Sequence, residues 1–435
     1  MSPTFYIFIL RGWSTFAGGV LLILIPIFLS PTEQGYYYTF NSLAGMQILF
    51  ELGFTSIIVQ YVAHEYAHLK FNSKKELSGP SINIARLIAI VIFIKRRYIL
   101  VSIIFFVFAS ISGTIFFFLK SNEGLNILLS QWIALVLFAS VNLYLNSHLA
   151  LFEGLDMIGD VAKLRLTVSI LAYFIIWSAL ALGAGLWISA ILPAISAIGI
   201  SVWIKKNNPI KISASERNYN SEIILAKEIF PLQWRIAISS ASGYLIFSLF
   251  TPIIFANQGP IEAGKIGITI TIFTTLHLLG TSWISAKVPV LPSFIAKRDW
   301  KALNNTFDKA IKSSIFYTAL LCMSASMVIY VLQAYDIRPF SRIASFRIVA
   351  LLAVVAVANT IIYSLAVYMR AFKKEPMLTN SISMAILVPG FVYYFSQYNI
   401  TAAIAAYAAL TIFVSLPWTI ILYANYRKLH HSLDY

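Results

Sequence analysis

Residues 166–204 read LTVSILAYFIIWSALALGAGLWISAILPAISAIGISVWI, a stretch without a single charge, preceded by Lys163 and Arg165 and followed by Lys205 and Lys206. Crossing roughly 30 Å of hydrocarbon takes about 20 mostly apolar residues. The stretch holds two such runs, Leu166–Leu182 and Leu186–Ile204, separated only by Gly183, Ala184 and Gly185. A turn that short forces the two helices to be antiparallel neighbours. The basic residues at both ends of the stretch then lie on one side of the membrane.

Outward from this hairpin the same test finds ten more spans. They are Phe5–Leu29, Tyr36–Tyr61, Tyr98–Leu119, Ile127–Leu151, Leu232–Phe255, Ile266–Pro289, Ser313–Leu332, Arg347–Tyr368, Leu378–Phe395 and Thr401–Tyr423. The composition agrees: 59% of the 435 residues are hydrophobic and 11% are charged, against about 25% charged in ordinary soluble domains. The expected fold is therefore all-α and polytopic, with about twelve transmembrane helices. The run Phe5–Leu29 is too long for the apolar core of a cleavable signal, and no basic residue precedes Arg11, so it is read as the first span.

Charge sets the orientation. Apart from Arg11 inside the first span, only Lys120, Lys265, Arg338, Arg342 and Arg347 of the 32 Lys and Arg fall on the side opposite the N-terminus. Lys and Arg collect in cytoplasmic loops, so both termini are expected in the cytoplasm. The net charge of +15 then follows from topology, and nucleic acid is not an expected partner. The outer loops are short, the longest running from Gln333 to Phe346. Among the inner segments, Asn83–Lys95 is apolar but too short to span, and either lies in the interface or extends the third helix. Lys297–Lys312 places Trp300, Leu303, Phe307, Ala310 and Ile311 at helical spacing. Cys322, the lone cysteine, reads as a small packing residue.

The two halves of the chain resemble each other. Pro26 and the turn Glu33-Gln34-Gly35 in the first are matched by Pro252 and Glu262-Ala263-Gly264 in the second. Each half would hold six helices, and repeats with even helix counts share one topology, related by an axis along the membrane normal. The expected division is a six-helix bundle over residues 1–204, a charged cytoplasmic linker over 205–231, and a second six-helix bundle over 232–435, with pseudo-twofold symmetry between the bundles.

Ser30-Pro31-Thr32-Glu33-Gln34-Gly35-Tyr36-Tyr37 resembles the turn after the first helix of bacterial polysaccharide and O-antigen (Wzx-type) flippases. These belong to the multidrug/oligosaccharidyl-lipid/polysaccharide exporter superfamily. Glu51-Leu52-Gly53-Phe54, Phe152-Glu153-Gly154 and Gly259-Pro260-Ile261-Glu262-Ala263-Gly264 are similar to further segments of that family, in the same order. The resemblance implies a transporter, not an enzyme, that flips a polyprenyl-diphosphate-linked oligosaccharide from the cytoplasmic to the periplasmic leaflet of the bacterial inner membrane. It implies no cofactor. It also implies a polysaccharide polymerase and chain-length proteins as partners alongside the lipid bilayer. The other readings are a cation-coupled small-molecule exporter of the same superfamily and a membrane polysaccharide polymerase or ligase. The short outer loops disfavour the polymerase or ligase.

Ionisable groups within spans are costly and mark function. Arg11 lies about 12 Å into the first helix at 1.5 Å per residue. It either binds diphosphate in a cationic cavity between the halves or snorkels to the inner interface. Arg235 and Lys287, near the inner ends of helices seven and eight, either snorkel or help recruit the substrate. Glu51 either pairs with Arg11 or takes a coupling proton. His277, central in helix eight, and His148, near the inner end of helix four, are hydrogen-bonded packing residues or further proton sites. Gln47, Asn142, Asn146, Gln233 and Asn359 are polar positions that also suit helix–helix contacts. No P-loop and no zinc signature is present.

Overall fold

The structure, a computed structural model, describes residues 3–51, 53–71, 77–120, 125–207, 234, 237–372 and 375–431. The described residues form helices joined by turns, together with a two-residue antiparallel ribbon pairing Lys70–Phe71 with Leu77–Ser78. Among them, eleven helices are long and apolar enough to cross a membrane, or twelve if one bent pair counts as a single span.

In chain order the elements of the first half are α1 (Pro3–Phe28), α2 (Pro31–Ala44), α3 (Gln47–Glu51), α4 (Phe54–Tyr66), α5 (Ser81–Lys120), α6 (Leu125–Gly154), α7 (Ile158–Ala181) and α8 (Ile188–Asn207). In the second half α9 (Ala237–Gln258) is interrupted at Ser248 and Leu249. There follow α10 (Pro260–Gly280), the short α11 (Ser282–Ser285) and α12 (Leu291–Ala296), α13 (Trp300–Ala334), α14 (Phe346–Arg370), α15 (Leu378–Ser396), α16 (Ile400–Ala409) and α17 (Leu416–His431). A π-helical turn, Leu410–Ser415, joins the last two. Every span expected from hydropathy has a helical counterpart.

One difference from the sequence reading has a local cause, and one alternative that the sequence left open is decided. The stretch Tyr36–Tyr61, expected as one helix, is broken: α2–α3 and α4 are bent by 42° relative to each other. Gly53 at the break has φ +68°, a left-handed conformation that suits glycine. Near the earlier break after α2, the Ser42 carbonyl accepts a hydrogen bond from the Tyr244 hydroxyl at 3.2 Å. The segment Asn83–Lys95 is the first part of α5, whose 40 residues extend about 60 Å, twice the hydrocarbon thickness. Leu87 to Ile94 are buried without interruption, so this segment packs within the protein and extends the third helix.

The chain folds as two compact units, one of Met1–Leu29 with Phe40–Tyr244 and one of Ser30–Thr39 with Leu245–Tyr435. In the first, α1 packs on α7, α4 on α6, α5 on α6, α6 on α8 and α7 on α8. In the second, α9 packs on α15, α10 on α14, α13 on α14, α14 on α16 and α17, and α15 on α16. Taking the bent α2–α4 as one span, the pairs are one–five, two–four, three–four, four–six and five–six in both units. The repeated motif pairs thus belong to a repeated packing plan.

The quoted motifs acquire mechanical meanings. In Ser30-Pro31-Thr32-Glu33 the Glu33 N–H donates to Ser30 Oγ at 3.1 Å, and the Ser30 N–H donates to Glu33 Oε2 at 2.8 Å. This is a reciprocal capping box with proline in the first turn. Gln34 is 1% exposed and donates to the Gly264 carbonyl at 2.9 Å and the Arg342 carbonyl at 3.2 Å. A Cβ on Gly35 would stand 1.9 Å from the Pro260 carbonyl oxygen, and one on Gly264 would stand 2.9 Å from the Gly35 nitrogen. The two turn glycines of the repeat therefore touch within the second unit, where backbone meets backbone. At the hairpin of residues 166–204, Gly183 has φ +77° and the Ala184 N–H reaches the Ala179 carbonyl at 2.9 Å. That bond closes α7 with a Schellman turn.

Candidate functional site

The first unit contains a cavity of about 480 Å³ within its spanning helices, its walls mixing apolar and polar side chains. Its walls come from α1 (Leu10, Ser14), α2 and α3 (Asn41, Ala44, Gln47), α6 (Asn142, Asn146), α7 (Arg165, Ser169) and α8 (Pro193, Ser196). Five polypeptide stretches, distant in sequence, thus bring amides, hydroxyls and one guanidinium to a common space.

Asn142 fixes part of the wall. Its amide nitrogen donates to the Phe138 carbonyl at 2.9 Å on its own helix and to the Pro193 carbonyl at 2.6 Å on α8. Both hydrogens are committed, which leaves the amide oxygen as an acceptor. Among the described residues of the lining, Arg165 alone is charged. Its Nη2 lies 3.1 Å from Glu153 Oε1, and the two side chains are 41% and 21% exposed. An ion pair this wet contributes little to stability; its effect is to orient the guanidinium. Five N–H donors sit on that fork, more than one carboxylate oxygen uses. Gly154, beside Glu153, allows α4 to approach: a Cβ there would stand 2.6 Å from Cβ of Val62. The Glu-Gly pair quoted from the sequence thus positions the arginine and admits the neighbouring helix.

The second unit has a smaller cavity, about 250 Å³, on equivalent helices α9, α10, α14 and α16. No charged side chain lines it among the described residues; its polar members are Thr274, His277, Asn359 and Tyr407. The Asn359 amide donates to the Tyr407 hydroxyl at 3.2 Å. His277 Nδ1 lies 2.9 Å from Thr360 Oγ1, which also lies 2.9 Å from the Ala356 carbonyl and 3.2 Å from Thr318 Oγ1. A hydroxyl has one hydrogen and two acceptor sites. If Thr360 donates to Ala356, His277 and Thr318 both donate to Thr360, and the imidazole carries its proton on Nδ1 with Nε2 free to accept another.

The residues singled out from the sequence are scattered. Arg11 is exposed on α1 and forms no ion pair with Glu51 among the described residues. Glu51 closes α3 and accepts a hydrogen bond from the Thr55 hydroxyl. The expected Arg11–Glu51 pair does not form: α1 lies against α7, not against the part of the second span that carries Glu51. His148 packs against Tyr144 with the rings tilted by 58° and their centroids 4.6 Å apart, and its Nδ1 lies 3.2 Å from the Tyr144 carbonyl. Lys287 is exposed in the turn between α11 and α12. Arg235 and Gln233 lie outside the described residues. Gln47, Asn142 and Asn146 share the first cavity, and Asn359 and His277 share the second. Sequence reasoning misses Arg165, which reads with Lys163 as a loop charge. The available signal is its helical register: Arg165 stands four residues before Ser169, on the row facing the cavity. Among the described residues, no three His, Cys, Asp or Glu side chains are grouped so as to hold a metal ion.

Comparison with solved structures identifies the architecture. A multidrug resistance MATE family transporter of the MOP superfamily, in an inward-facing conformation, superposes with TM-score 0.62 at 14% identity, over 94% of this chain and 99% of that one. The lipid II flippase MurJ, inward closed, gives TM-score 0.66 at 13% identity over 95% and 86%. This chain has the fold of a MOP-superfamily transporter. A third MOP structure, from Pyrococcus furiosus, was described as having a binding pocket of reversed polarity; it gives TM-score 0.55 at 13% identity over 100% and 95%. No family model matches the sequence, and no curated protein matches it either. The MOP fold is thus recognised in three dimensions at identities where sequence comparison finds nothing.

Proposed function

We propose that this chain flips a polyprenyl-diphosphate-linked oligosaccharide from the cytoplasmic to the periplasmic leaflet of a bacterial inner membrane by alternating access, without making or breaking a covalent bond. The physical problem is the headgroup. Diphosphate charge and sugar hydroxyls do not enter hydrocarbon unaided, whereas the polyprenyl tail does. A transporter of such a lipid needs a wet polar chamber with a cation for the phosphate and hydrogen-bonding groups for the sugar.

The observation that carries the reading is the Arg165 cavity of the first unit. Its guanidinium supplies charge-assisted, fork-shaped donors suited to phosphate, and Asn41, Gln47, Asn142 and Asn146 supply amides. In this reading Arg11 is a second cationic contact, exposed on the helix that also presents Ser14 to the cavity, and Arg235 and Lys287 recruit the headgroup near the inner face. His277 is the leading proton site for coupling, with Glu51 and His148 behind it. The resemblance of the fold to a lipid II flippase supports a lipid-linked substrate. The alternative, export of small cations, is suggested by the MATE neighbours and is disfavoured by an arginine in the cavity wall.

The test is done in cells. Arg165→Gln and Arg165→Lys are compared with Arg11→Ala and Glu51→Gln for surface polysaccharide, at matched membrane abundance. Loss of polysaccharide in Arg165→Gln with partial rescue in Arg165→Lys supports the reading. Unchanged polysaccharide in Arg165→Gln removes it.

A further inference from the structure

Next to the polar cavity, α1 and α7 carry an aromatic cluster that the diphosphate reading does not use. The ring of Trp13 lies 6.0 Å from Trp177, 6.4 Å from Tyr173 and 6.1 Å from Phe174, the last with an interplanar angle of 29°. Phe174 and Trp177 are 5.3 Å apart. On α7 the cluster continues a row that starts in the cavity: Arg165, Ser169, Tyr173 and Trp177 follow one another at intervals of four residues, so neighbours in the row adjoin. From Arg165 the rings lie about 12 to 18 Å along the helix, a length that a short oligosaccharide spans.

Two features separate this cluster from ordinary apolar packing. The indole nitrogens of both Trp13 and Trp177 are buried and have no hydrogen-bond partner among the described residues. A buried indole N–H ordinarily finds an acceptor; Trp132, sealed in the core, is a further orphan, so it is the pairing of two orphans beside an open face that points to a ligand that supplies oxygens. The cluster is also not sealed, because Phe174 is 55% exposed. Flat apolar faces suit the C–H face of a pyranose ring, and once the rings part to admit it the buried indole N–H groups donate to its hydroxyl oxygens.

We propose that Trp13, Tyr173, Phe174 and Trp177 form a sugar subsite that binds the oligosaccharide of the substrate while Arg165 holds its phosphate. The inference rests on the function proposed above and adds the groups that read the sugar. Phosphate and carbohydrate are recognised at opposite ends of one row on α7, with α1 completing the sugar end.

The experiment measures binding to the purified full chain in nanodiscs by calorimetry, with two probes: farnesyl diphosphate, and farnesyl diphosphate linked to a glucosyl trisaccharide. In the wild type the trisaccharide is expected to lower Kd at least tenfold. The double variant Trp13→Phe with Trp177→Phe keeps the stacking faces and removes both N–H donors. It is expected to lose most of that gain while binding farnesyl diphosphate as the wild type does, which also reports that the variant is folded. Arg165→Gln is expected to weaken both probes. A trisaccharide gain that is absent in the wild type, or unchanged in the double variant, overturns the subsite and leaves the diphosphate reading standing. Failure of the wild type to bind either probe overturns both.

Discussion

Replacing Gly35 by Ala tests the contact between the two repeat turns. The added methyl would stand 1.9 Å from the Pro260 carbonyl oxygen and 2.5 Å from its carbon, both backbone atoms. No side-chain rotation can relieve such a clash. The start of α2 must move away by about 1.5 Å to restore ordinary contact, and overpacking of this kind costs about 1–3 kcal/mol. The same movement stretches the two bonds from Gln34 to the Gly264 and Arg342 carbonyls, each contributing about 0.5–1.5 kcal/mol. Alanine's better helix propensity returns up to about 1 kcal/mol. The net expectation is a loss of about 1–4 kcal/mol, read as a lower midpoint in denaturant unfolding of the detergent-solubilised protein. Gly18→Ala is the control, since nothing lies within 4 Å of its added methyl, and it should be neutral or slightly stabilising. Equal stability of Gly35→Ala and Gly18→Ala would refute the packing argument.

Other consequences follow from the same geometry. Ser30→Ala removes the capping-box acceptor of Glu33 and should cost about 1 kcal/mol, measurable in the same unfolding assay. Gly280→Ala should also destabilise, though less than Gly35→Ala, because its methyl would overlap the Thr318 hydroxyl, which can rotate, and stand 2.9 Å from Thr318 Cβ; that hydroxyl belongs to the His277 network. Thr360→Val strips the hydroxyl shared by His277, Thr318 and Ala356. It should destabilise by about 1–3 kcal/mol and shift the pH dependence of any proton-coupled transport, whereas a stability loss with an unchanged pH profile would confine His277 to packing. Asn142→Leu removes the bridge from α6 to α8 and one of the cavity's amide oxygens together, so it should impair transport more than Asn142→Gln does at matched abundance.

The spans are legible in the sequence because hydropathy is an additive property of about 20 consecutive residues, and neighbours in space do not alter it. The break in the second span is not, because Gly45 and Gly53 are unremarkable letters in an apolar run until the backbone around them is known. The repeat is visible in Glu33-Gln34-Gly35 and Glu262-Ala263-Gly264. That the two glycines meet cannot be read, since the contact joins residues on two separate helices. The cavity is half legible. Gln47, Asn142 and Asn146 stand out as polar letters within spans, but their convergence depends on the rotation of two helices about their axes. Arg165 is hidden by its neighbour Lys163, which makes the pair look like a loop. The expected Arg11–Glu51 pair fails because neighbours in sequence order need not be neighbours in the bundle, and α1 packs on α7.

The most direct test of the whole account is a flipping measurement in proteoliposomes, using a fluorescent short-chain polyprenyl-diphosphate oligosaccharide and an otherwise identical lipid with an uncharged, sugar-free headgroup. The account expects the purified chain to accelerate transfer of the first lipid and not the second, with Arg165→Gln slowing the first at least tenfold. Transfer that ignores the headgroup, or that proceeds equally fast without the Arg165 guanidinium, would contradict it.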